Sequence, residues 1–154
     1  MNKRVYKILF YIYMTILIFL VLFKFDGSLT NLAQKIHSVQ QNRSMGYWNC
    51  NLMPGATISL YLRHIPSGFA VKNLVGNVVA FIPLGYFLPT VYPKYRKWWK
   101  TILFSFLFLL AAESIQLVSM LGVFDVDDII LNLAGCLLGY FVCIFTKFLV
   151  GTKD

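Results

Sequence analysis

The chain has 154 residues, 58% of them hydrophobic and only 13% charged, against roughly 45–50% apolar and about 25% charged in an ordinary soluble domain. That balance excludes disorder and argues against a water-soluble globule. The mean hydropathy is +0.68 and the apolar residues come in long blocks, so the chain reads as an all-α polytopic membrane protein forming one domain over residues 1–154, without a separate soluble catalytic unit. Three cysteines, Cys50, Cys136 and Cys143, supply neither a closed set of disulfides nor a CxxC pair. The net charge of +8 comes from basic residues beside apolar runs, where they set topology. Nucleic-acid binding is a poor reading of it.

A bilayer core about 30 Å thick needs roughly 20 apolar helical residues, and four blocks qualify: residues 5–23, 73–92, 101–121 and 129–150. The first carries only Lys7, which can snorkel to the headgroups. It follows Asn2, Lys3 and Arg4 like the basic start of a signal peptide, but Phe23, Lys24 and Phe25 offer no small-residue cleavage site. Gly76, Pro83 and Gly85 break up the second block and are tolerable where neighbouring helices re-satisfy the backbone; Pro83 predicts a kink. Lys147 lies near the end of the fourth.

Lys3, Arg4 and Lys7 precede span one, and Lys94, Arg96, Lys97 and Lys100 fill the turn between spans two and three. The opposite side has Asp125, Asp127 and Asp128 and no basic residue in the short turn. The positive-inside rule then places both termini in the cytoplasm, with Tyr92, Tyr95, Trp98 and Trp99 as interfacial anchors, and Lys147 and Lys153 agree. Residues 24–72 form the one long connection, which becomes external. Its first part, 27–44, is polar and predicts a short surface helix around 31–39, whereas 47–69 is apolar enough to dip into the interface.

An ionisable or amide side chain inside hydrocarbon costs a few kcal/mol, so such residues face the bundle or a wet cavity. Asn73 and Asn77 share one helical face at the outer end of span two; they suit a binding site, or simply cap the helix and tie it to a neighbour. Glu113 and Gln116 lie in the outer half of span three, and Asp125, Asp127, Asp128 and Asn132 surround the start of span four. Capping explains one or two of these aspartates, and Gln116 and Asn132 also suit interhelical hydrogen bonding. Glu113 needs protonation, hydration or a cation such as Arg43 or Arg63. Beside Asp128 it could share a proton or act as an acid and base pair, and Glu113, Asp125 and Asp128 together could ligate Mg²⁺ or Ca²⁺ through oxygen, although the acidic string is a weak metal motif. His37 and His64 in the connection read as solvated. Gly135 and Gly139 form a small-residue stripe for close helix packing, inside the bundle or in a dimer.

Asn51-Leu52-Met53-Pro54, then Asn73-Leu74-Val75-Gly76-Asn77 leading into Phe81-Ile82-Pro83-Leu84-Gly85, resemble the first two blocks of the VanZ-like family. Glu113-Ser114-Ile115-Gln116 resembles its ExxQ block, and Asp125-Val126-Asp127-Asp128 through Asn132, Gly135 and Gly139 its acidic-to-glycine block. The ordered set covers about residues 42–140. Gly55 stands where an aromatic often follows the Asn-Leu-x-Pro block, and Gly122-Val123 replaces an Arg-containing stretch, whose task the resemblance would pass to Arg43 or Arg63. It implies a small multi-span protein of the bacterial cytoplasmic membrane; the family's namesake is associated with reduced susceptibility to teicoplanin, a lipid-tailed glycopeptide.

Two functions are therefore expected to compete. In the first, an outer-leaflet polar site made from Asn51, Asn73, Asn77, Glu113, Gln116, Asp125, Asp128, Asn132, Arg43 and Arg63 binds an envelope lipid headgroup or hinders anchoring of a lipoglycopeptide, without catalysis and without a cofactor. In the second, an intramembrane enzyme modifies a lipid-linked wall precursor or a phospholipid, with Glu113 and Asp128 as acid, base or metal ligands; no Ser-His set, HExxH or phosphate loop supports it. Four spans are few for a transporter unless the chain dimerises.

Overall fold

A computed structural model describes residues 3–23, 28–63 and 68–151. Asn2, Lys24, Phe25, His64 and Lys153, used in the sequence reading, lie outside the described residues. Four long helices carry the apolar blocks: α1 (Lys3–Phe23), α4 (Gly68–Val91), α5 (Trp98–Ser119) and α6 (Val126–Val150). All four are long and apolar enough to cross a membrane. Between α1 and α4 come α2 (Leu29–Ser44), the short strand β1 (Cys50–Asn51) and α3 (Ala56–Arg63); β2 (Phe124–Asp125) precedes α6. The described residues of the connection thus hold two helices and a short strand. The predicted surface helix is present and longer than expected, because Ser28 caps it at the Asn31 N–H (3.3 Å).

Local chemistry sets the helix ends. Pro93 disfavours helical geometry at the residue before it, and Tyr92 is accordingly extended (φ −119°, ψ 103°), which stops α4. Met120 turns left-handed (φ 56°) to end α5, and Gly151 does the same (φ 65°) after α6. Asp125 caps α6 by accepting the Asp127 N–H at 2.9 Å. All four spans begin earlier than the hydropathy blocks suggest, α1 at Lys3, α4 at Gly68, α5 at Trp98 and α6 at Val126. Asn73 and Asn77 therefore sit within α4 and do not cap it.

Helix α4 is the central element, flanked by α1, α5 and α6. Phe10 and Leu17 of α1, Phe81, Leu84 and Leu88 of α4, Leu109 of α5, and Ile129 and Cys136 of α6 form the buried core. Gly135 and Gly139 lie against the Val78 and Ile82 carbonyls of α4, and Gly85 of α4 lies against the Cys136 carbonyl. A methyl group at any of the three would overlap backbone, so the small-residue stripe serves α4–α6 packing within the chain. Helix α4 continues through both Pro83 and Pro89. The Tyr13 hydroxyl donates to the Ala80 carbonyl at 2.7 Å, adding a polar tie from α1 in this stretch.

The two ends of the bundle differ in charge. Tyr11 and Tyr92 hydroxyls meet at 2.7 Å and Tyr140 donates to the Arg96 carbonyl at 2.6 Å, so the start of α1, the α4–α5 turn and the later part of α6 share one basic end. The carboxylates of α5 and α6 gather at the other.

Candidate functional site at the acidic end

The site begins with a two-residue parallel pairing: Cys50 aligns with Phe124 and Asn51 with Asp125. This brings the Asn-Leu-x-Pro segment onto the start of α6. Asp125 is buried and its oxygens accept from Asn51 Nδ2 (3.2 Å), the Asp127 N–H (2.9 Å) and the Thr57 hydroxyl (2.6 Å). Asn51 also donates to Thr57 Oγ1 at 2.8 Å and accepts the Met53 N–H at 3.3 Å, folding the turn before α3. Asp127, with 0% of its surface exposed, accepts the Gly55 N–H at 2.6 Å on Oδ1 and the Thr57 and Ile58 N–H groups at 2.7 and 3.0 Å on Oδ2. These donors belong to the first turn of α3 and the residue before it, where helix geometry leaves N–H groups without partners and favours negative charge. A carboxylate from α6 thus caps a helix far earlier in the chain.

Glu113 lies inside α5, 1% exposed, and its Oε2 accepts the Asp125 N–H at 3.0 Å, fastening α5 to the start of α6. One turn on, Gln116 donates from Nε2 to the Val21 and Leu22 carbonyls at 2.6 and 3.2 Å, holding the end of α1. Asp128 accepts from Asn77 at 2.8 Å across the α4–α6 interface; Asn73 lies half-buried one turn before Asn77. The side-chain oxygens of Gln116 and Asn132 are buried without a hydrogen-bond partner.

Residues 10–148 match the VanZ/LLP1 family model. The chain belongs to the VanZ-like family. No match is found among curated proteins or among solved structures.

In this VanZ-like chain the motif blocks converge: Asn51, Glu113, Asp125 and Asp127 form one connected network, and Asp128, next to Asp127 on α6, pairs with Asn77 of α4. Arg43 donates to the Leu117 carbonyl at 3.2 Å with its guanidinium 3.9 Å from the Trp48 ring centre, docking α2 on the last turns of α5. Asn49 extends the join by donating to the Val39 carbonyl (3.1 Å) and accepting the Phe124 N–H (3.0 Å). Arg63 is exposed at the end of α3, and His37 is exposed on α2. Asp125, the middle member of the cation set suggested by the sequence, gives both oxygens to N–H and O–H donors. Among the described residues no group of three His, Cys, Asp or Glu side chains is arranged to hold a metal ion.

Sequence reasoning left Asp127, Thr57 and Asn49 out of the site. The sequence did mark one aspartate as surplus to the capping of span four, and that residue's partner was hidden in the connection. The glycine departure also has a physical cause: Gly55 adopts φ +84° while its N–H reaches Asp127, a conformation costly for a residue with a Cβ.

Proposed function

We propose that this VanZ-like membrane protein lowers susceptibility to teicoplanin and related lipid-tailed glycopeptides. It does so at the outer leaflet of the bacterial cytoplasmic membrane, where its acidic end binds an envelope lipid or hinders anchoring of the drug's tail. The crowding of Lys94, Arg96, Lys97 and Lys100 in the short α4–α5 turn, opposite a short α5–α6 turn with aspartates and no basic residue, supports termini in the cytoplasm. The observation that carries the reading is the Asp127 clasp on α3. It fixes an apolar segment over the polar end of the bundle, where Tyr47, Trp48, Leu52, Met53, Leu60 and Leu62 remain exposed. Aromatic and aliphatic side chains beside a polar network suit the headgroup boundary, where a ligand has both a charged head and an acyl tail.

The second reading is an intramembrane enzyme acting on a lipid-linked wall precursor or phospholipid, with Glu113 and Asp128 as acid and base. The burial of Glu113 favours it. Against it, Asp125 and Asp127 act as structural acceptors, which leaves fewer carboxylates for proton transfer. The test compares teicoplanin and vancomycin susceptibility in a sensitive Gram-positive host expressing wild type, Glu113→Gln or Asp128→Asn at matched membrane levels, with mass analysis of extracted lipids and precursors. A teicoplanin-selective shift, lost in both variants with unchanged lipid masses, is expected from binding. Equal shifts for the two drugs would sink the tail-anchoring reading, and a mass change abolished by Glu113→Gln would establish turnover.

A further inference from the structure

The basic end carries a feature beyond topology. No Asp or Glu occurs between Asp26 and Glu113, and Lys94, Arg96, Lys97 and Lys100 are concentrated in the α4–α5 turn. The turn is pinned from two sides, since Thr101 donates to the Tyr95 carbonyl at 2.7 Å and Tyr140 of α6 to the Arg96 carbonyl at 2.6 Å. Its own backbone closes through Tyr95 N–H to the Tyr92 carbonyl (3.0 Å) and Arg96 N–H to the Pro93 carbonyl (3.1 Å). Two of the ammonium groups rest on rings, Lys94 Nζ at 4.9 Å from the centre of Tyr95 and Lys100 Nζ at 5.4 Å from that of Trp99. Trp98 and Trp99 are 59% and 47% exposed, as befits rings at headgroup depth. Helix α5 opens at Lys97 without a side-chain cap or an acid in its first turn, so its dipole adds to the same positive field.

We propose that the α4–α5 turn binds the phosphate of an anionic membrane lipid, held by Lys94, Lys97 and Lys100 between Arg96 and the Trp98–Trp99 pair. A topogenic signal needs only charge in the flank. Here the cations project from a backbone fixed by α5 and α6, with rings beneath two of them, so less freedom is lost when a phosphate arrives. Their position at the edge of two spans selects a lipid phosphate over one in solution. A zwitterionic headgroup brings its own cation into the cluster and is disfavoured.

The full chain carries three tryptophans, so Trp48→Phe leaves Trp98 and Trp99 as reporters at the proposed site. This variant is reconstituted in phosphatidylcholine vesicles containing a minor fraction of brominated phosphatidylglycerol or of brominated phosphatidylcholine. Bromine quenching should show the anionic lipid enriched around the reporters by about five-fold, the size expected for one net favourable charge contact. Adding Lys94→Gln, Lys97→Gln and Lys100→Gln should abolish the enrichment, and Lys97→Gln alone should reduce it, while Lys3, Arg4 and Lys7 stay in place to hold the topology. Equal quenching by the two lipids, or an anionic preference unchanged in the triple variant, overturns the proposal. Inorganic phosphate should release no more quenching than chloride at matched ionic strength; selective release by phosphate would mean a soluble anion is the ligand and would overturn the lipid assignment.

Discussion

The carboxylate of Asp127 receives the backbone N–H of Thr57, 70 residues earlier in the chain, at 2.7 Å. The same side chain holds Gly55 and Ile58, so the first turn of α3 is completed by the first turn of α6. With only eight residues, α3 is far shorter than the roughly 12–15 residues at which an isolated helix becomes even marginal. Its formation follows from this long-range partner more than from its own propensity.

Asp127→Ala removes a buried acceptor of three backbone donors. The expected loss is about 3 kcal/mol, since bonds to charged groups are the strong ones and unpaired buried donors carry a further penalty. Asp127→Asn keeps one oxygen and should lose about half as much. Thermal unfolding in detergent measures the total, and hydrogen exchange localises it: amides of residues 55–58 should lose protection while those in the middle of α4 keep theirs. Retained protection at 55–58 in Asp127→Ala would show that another contact holds α3.

The α4–α6 crossing makes a sharper stability prediction. Gly85→Ala, Gly135→Ala and Gly139→Ala each drive a methyl into a backbone carbonyl of the facing helix, and helix separation should cost about 2–3 kcal/mol apiece, in the range of overpacked cores. Gly76→Ala meets open space and should be neutral or stabilising by up to about 1 kcal/mol through helix propensity. Unfolding midpoints of the four variants decide it. Equal effects at Gly76 and Gly135 would contradict packing within the chain.

The four spans were legible because a bilayer demands long apolar helices and the sequence supplies four. Their starts were misplaced because hydropathy stops at Trp98–Lys100 and Val126–Asp128, polar or interfacial residues that are helical nonetheless. Glu113 and Asp125 were legible as members of one polar set, since a carboxylate's cost at a membrane span requires partners, whereas Asn51 joined them only through the motif resemblance. Which aspartate does what was not: the string Asp125-Val126-Asp127-Asp128 looks uniform, yet the three carboxylates turn to the α6 cap and Thr57, to the α3 backbone, and to Asn77. Those assignments depend on the β1–β2 pairing, which involves two residues per strand and leaves no periodic pattern to read.

The cysteines test the proposed topology. Cys50 is exposed at the acidic end, whereas Cys136 and Cys143 are buried between helices. An impermeant thiol reagent applied to intact cells should label Cys50 alone, and Cys50→Ser should abolish labelling. Modification of Cys50 only after permeabilisation would invert the orientation and put the acidic end in the cytoplasm.

Met53, just before α3, and Leu62 within it allow the apolar face to be tested apart from the polar network. They are 70% and 53% exposed, so replacing both with Ser should change stability by no more than about 1 kcal/mol in total, as for surface sites generally. If the α3 face meets the acyl tail of a lipoglycopeptide at the leaflet boundary, the double variant should lose most of the teicoplanin shift at unchanged membrane level. The difference should be small for vancomycin, because an apolar contact with a tail discriminates only against drugs that carry one. The measurement is the ratio of the two susceptibility shifts, double variant against wild type. Full teicoplanin protection in a correctly folded double variant would remove the α3 face from the working surface and leave Glu113, Asp128 and Asn77 as the groups that must account for the phenotype.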